Sequence, residues 1–124
     1  MQLTVFTNIR RKDTPNTESK SMDRIEKLKA FLAANPADSF VQHALALEHA
    51  KLGDDAEARK LFEALLNRDE NYIGSYYHLA KLLERANAKE DAIHWYEKGM
   101  LKAKETGDNH AYNELRAAYE DLVY

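Results

Sequence analysis

Apolar side chains recur along this chain with the three- and four-residue rhythm of helices, and the rhythm breaks at regular points. Ile25, Leu28, Phe31 and Leu32 make one stripe, closed by Asn35-Pro36. Val41, Leu45, Leu47 and Leu52 make the next, ending at Gly53, a residue suited to a left-handed helix end. Asp54 then stands three before Glu57, a capping-box-like start. Ala58, Leu61, Phe62, Leu65 and Leu66 follow at the spacing of a single buried face. Tyr76, Leu79, Leu82 and Leu83 lead to Asn87 and Glu90, which bracket another start, followed by Ala92, Trp95, Tyr96 and Met100. Gly107 and Asp108 stop and restart the chain before Tyr112, Leu115 and Tyr119. The pattern predicts six helices in an all-α chain.

The two central pairs of stripes are one unit written twice. Shifted by 34 residues, Gln42, Leu45, Ala46 and His49 fall on Tyr76, Leu79, Ala80 and Leu83, while Ala58 and Phe62 fall on Ala92 and Tyr96. Self-similarity at this period marks a stacked repeat. An aromatic, a Leu-small pair, and an Ala with an aromatic four residues on resemble the signature of tetratricopeptide repeat (TPR) proteins. Gln42, His49 and Leu83 depart from its aromatic positions, and Glu70 and Lys104 stand where it has proline. The resemblance implies an α-solenoid of antiparallel helix pairs, with full repeats at 39–72 and 73–106.

Half-units are expected to close the array at both ends, a capping helix over 22–35 and another over 108–122, within a helical domain spanning 22–124. The small position held by Ala58 and Ala92 is Arg24 in the first capping helix, and the small partner of Leu115 in the last is Arg116. Smallness is needed only where the other helix of the same unit packs closely, so both arginines are expected to face water. Residues 1–21 combine a short β-branched run, a basic trio at Arg10 to Lys12 and a polar stretch containing Pro15, and read as a flexible solvated tail. Met22 stands as an alternative start.

Composition removes several functions. The net charge of −3 gives no broad basic field for nucleic acid, and no apolar run reaches the length of a membrane span. The absence of cysteine removes thiolate metal sites and thiol catalysis. Five histidines, His43, His49, His78, His94 and His110, lack the spacing that presents two imidazoles to one ion, although His43 and His78 could approach across neighbouring first helices. No phosphate loop or nucleophile elbow occurs, so no enzyme and no cofactor are expected, a histidine-based metal enzyme being the remote alternative.

A binding surface remains. In proteins of the resembled family, the first helices line a concave groove that receives a peptide or helix. The repeat alignment places Phe40, His43, Leu47 and Lys51 there from one unit and Tyr77, His78, Lys81 and Arg85 from the next. Aromatic residues beside basic ones suggest an acidic or aromatic protein segment as partner. The chain is expected to be a cytoplasmic monomer or weak homodimer. Self-association through a terminal face, where Leu122, Val123 and Tyr124 end the sequence, is the structural alternative.

Overall fold

The computed structural model describes Thr17 to Tyr124, and the part of the expected tail before Thr17 lies outside the described residues. Six helices follow in order: α1 (Thr17–Ala34), α2 (Ser39–Lys51), α3 (Asp55–Arg68), α4 (Gly74–Arg85), α5 (Lys89–Thr106) and α6 (Asn109–Val123). Each packs on its neighbours in sequence, and α2 also touches α4, as α4 touches α6. Among the described helices no such contact joins α1 to α3 or α3 to α5. The even-numbered helices, which are the first helices of the units, therefore lie on the inner side of a curving stack. The odd-numbered ones form its outer side.

Local chemistry sets the ends of the helices. Asp38, Asp54 and Asp108 cap α2, α3 and α6, each side chain accepting from a backbone N–H three residues on. Gly53 and Gly107 end helices with φ of 83° and 75°. Asn87 does the same at φ 61°, so it terminates α4 and is not the cap of α5 that its spacing with Glu90 suggested; Ala88 holds the cap position, with no side-chain bond. Asparagine tolerates the left-handed region because its short polar side chain bonds locally, which lets it stand where the first unit has Gly53.

The core is formed by the two repeated units. Ala46, Ala58, Phe62, Leu65, Leu66, Tyr76, Leu79, Ala80, Ala92 and Tyr96 have no exposed surface. Gln42, in the first aromatic position, is buried yet satisfied: its Nε2 donates to the Leu61 carbonyl at 3.0 Å and its Oε1 accepts from Arg68 at 2.8 Å. The residues replacing proline reach outward to the next helix. Glu70 pairs with Lys98 at 3.3 Å and its carbonyl accepts the Tyr76 hydroxyl at 2.7 Å, while Lys104 lies over the Tyr112 ring. Burial, with Glu70, Asp69 and Glu105 nearby, pushes the Tyr76 phenol up to about 12, so it stays a donor.

The N-terminal capping helix differs from expectation in three ways. It begins at Thr17, five residues before Met22, because Ser21 is buried one turn before Ile25 on the side that meets α2. Phe31 is 64% exposed although it belongs to the expected apolar stripe. Its counterpart 34 residues on is Leu65, which is fully buried in a unit that has its first helix; no described helix plays that part for α1. Arg24 is largely exposed but does not simply face water, since its guanidinium pairs with Glu48 of α2 at 3.3 Å. At the other end Arg116 is exposed and pairs with Glu120 in its own helix. Leu122 and Val123 are half-buried, and only Tyr124, 96% exposed, projects freely from the terminal apolar trio.

The tightest approach is at Gly99, in the middle of α5, where a Cβ would come within 2.6 Å of Tyr76 Cβ. The neighbouring atom belongs to the rigid base of a buried side chain, so α4 and α5 would have to move apart. Gly99→Ala is expected to lower unfolding stability by about 1–3 kcal/mol, overpacking outweighing the better helix propensity of alanine. Gly74→Ala, where a Cβ meets nothing within 4 Å, is expected to stay within about 0.5 kcal/mol of the parent. Urea titration of both variants checks the contrast; equal effects would show that the helices part freely.

Candidate functional site

The inner face is built from α2, α4 and α6. Phe40, His43, Leu47 and Lys51 follow one another at three- and four-residue steps, which puts them on one side of α2. Tyr77, Lys81 and Arg85 repeat that arrangement on α4, with His78 beside them.

The structure brings three of these residues into one cluster. The rings of His43 and His78 lie 5.6 Å apart between centroids, edge to face, and Tyr77 meets His78 in the same manner at 5.7 Å. The approach of the two histidines across first helices is thus real. Two members of the cluster carry no mark in the repeat signature. Tyr72, in the turn before α4, packs its ring 5.4 Å from His43, and Ser75 shares a 2.7 Å hydrogen bond with His43 Nδ1. The sequence signal for Tyr72 was its place at the end of the first repeat, directly before the second inner helix. An open depression of about 410 Å³ lies beside this cluster, lined by His43, Asn71, Tyr72, Ile73, Gly74 and Asp108.

The remaining candidates are spread along the face. Phe40 is 68% exposed, whereas Leu47 is half-buried against the core. Each basic residue already has a carboxylate of its own chain: Lys51 is 3.8 Å from Glu48, Lys81 is 3.6 Å from Glu84, and Arg85 grips Asp55 through two nitrogens at 2.7 and 3.3 Å. Glu84 also accepts the Tyr96 hydroxyl, and burial together with that bond pushes the Tyr96 phenol well above its ordinary range. Among the described residues no three His, Asp or Glu side chains gather as a metal-binding group. No described helix is long and apolar enough to cross a membrane.

Among solved structures the chain is similar to a tetratricopeptide repeat domain protein from Salinibacter ruber, 40% identical over 72% of this chain and 90% of that one, with a TM-score of 0.69. The chain belongs to the tetratricopeptide repeat family. It shares the fold of the TPR2B domain of yeast Sti1 in its complex with pHsp70, at 18% identity, TM-score 0.77, and coverage of 86% of this chain and 85% of that one. PcrH in complex with the chaperone binding region of PopD also shares the fold, at 14% identity, TM-score 0.77, and coverage of 98% and 92%. No protein-family model matches the sequence, and no curated protein matches it.

Burial lowers His43 to about 4, with the neighbouring His78 adding to the fall, so the ring is neutral at pH 7. Burial lowers His78 as well, against the pull of the Glu114 carboxylate. Between the ordinary value of 6.5 and about 4, the unfolded chain therefore binds more protons at His43 than the folded one. The stabilisation linked to this residue is present in full above pH 6.5 and is lost as pH falls toward 4. Urea midpoints measured from about pH 7 down to about pH 4.5 are expected to fall more steeply for the parent than for His43→Gln. Parallel curves would show that His43 titrates alike in both states.

Proposed function

We propose that this chain is a non-catalytic binding module that receives an extended protein segment on its inner face, across Phe40, His43, Leu47, Lys51, Tyr77, His78, Lys81 and Arg85. The observation that carries the reading is the cluster of His43, Tyr72, Tyr77 and His78 beside an open depression on that face. Flat rings with polar edges give large contact area for little lost rotational freedom. The Sti1 and PcrH structures, both complexes with other proteins, support the same use of the fold.

Between the two partner chemistries, charge favours the aromatic one. An acidic segment would have to compete for Lys51, Lys81 and Arg85 with carboxylates already in place, and both histidines are lowered toward the neutral form. An uncharged aromatic side chain meets no such competition and can stack among the rings.

Peptides selected from a random display library on the immobilised full chain, then titrated by calorimetry, test this. Selection is expected to enrich aromatic residues over Asp and Glu. Affinities near micromolar, about −8 kcal/mol, follow from ordering a short chain in a shallow groove. Tyr77→Ala is expected to weaken binding about tenfold or more, the loss of an anchoring ring. Lys81→Glu is expected to have a smaller effect that fades with salt. Lys60→Glu, on the outer helix α3 with a side chain 77% exposed, serves as control. Binding abolished by Lys60→Glu and untouched by Tyr77→Ala would place the functional surface on the outside.

A further inference from the structure

The two ends of the array are complementary halves of one unit. The last helix, α6, occupies the place of a first helix with no second helix after it, and α1 occupies the place of a second helix with no described helix before it. A second copy stacked head to tail would set α6 of one molecule against α1 of the next and complete a unit between them. Such a contact does not close on itself and would continue as a filament. Phe31, 64% exposed on α1, is the apolar surface that stacking would cover.

The crossing positions argue that this stacking is opposed. Inside the array the close crossings are made by Ala46 with Ala58 in the first unit and Ala80 with Ala92 in the second, all four without exposed surface. The corresponding positions at the two ends are Arg116 on α6 and Arg24 on α1. In a stacked pair two guanidinium groups would meet where the internal crossings admit only methyl groups. Bulk and like charge both stand against it.

The placing of Arg24 also comes at a cost to the fold. Its partner Glu48 is 8% exposed, with Oε1 buried and without a hydrogen-bond partner. The same junction one unit on has Ala58 for Arg24 and Leu82 for Glu48, an apolar pair buried to within 2%. An ion pair with an unsatisfied buried oxygen is a poor substitute for that packing, so stability alone does not account for it. We infer that Arg24 and Arg116 act as end-guards, keeping a second copy of this chain from extending the array head to tail.

The test is sedimentation of the full chain over a range of concentrations. The parent is expected to give one species whose mass does not change. Arg24→Ala/Glu48→Leu/Arg116→Ala copies the internal junction at the N-terminal end and the internal crossing at both ends. Its weight-average mass is expected to rise about two-fold or more over a roughly ten-fold increase in concentration, as mass action drives an open chain. Helicity and a cooperative melt establish that the variant is folded. If it is not, Arg24→Gln/Arg116→Gln, which removes both charges and keeps side-chain length, decides the matter on the same measurement. Growth of the folded variant supports the inference. A mass that stays constant, a closed dimer that grows no further, or a parent that assembles as steeply as the variant overturns it.

Discussion

Helices can run side by side at close range only where some of their side chains are nearly absent, and this constraint organises the whole molecule. Gly99 admits Tyr76 so closely that one added carbon would fall within 2.6 Å of it. That contact seats a buried tyrosine whose hydroxyl reaches back to the Glu70 carbonyl, tying α4 to the turn before it. The Ala46/Ala58 and Ala80/Ala92 positions do the same at the other crossings, where a methyl group is the largest side chain present. The orientation of the inner helices, and so the face they present, follows from which residues are small on the side turned away from it.

The polar departures from the repeat pattern divide into two kinds. Gln42 replaces an aromatic but has both ends of its amide bonded, so it is accommodated by the fold at little net cost. Glu48 and His49 are buried with Oε1 and Nε2 left without partners, and both lie next to α1. The unsatisfied groups therefore concentrate at one junction, between the N-terminal capping helix and the first full unit. The second unit, by contrast, keeps an apolar interface through Leu82 and Leu83. The stack is thus uneven along its length, with its best packing around α4 and α5.

The sequence by itself determined the helices, their pairing and the inner face. Those properties rest on local spacing and on recurrence at 34 residues, both of which can be read from the order of residues. It also located the close approach of His43 and His78, since both stand on inner helices that the repeat places side by side. Tertiary structure decided what each side chain meets once the helices are stacked. Phe31 belongs to an apolar stripe but stays exposed because burial needs a facing helix, and a stripe cannot show whether one exists. The tightness at Gly99 had no signal, because an isolated glycine in a helix looks the same whether it faces solvent or a tyrosine. Tyr72 and Ser75 joined His43 only through contacts across the turn between units. Arg24 found Glu48, and Lys51, Lys81 and Arg85 found their carboxylates, through distances that spacing along one helix only partly sets. Periodicity fixes the direction in which a side chain leaves its own helix; what lies in that direction depends on every other helix in the stack.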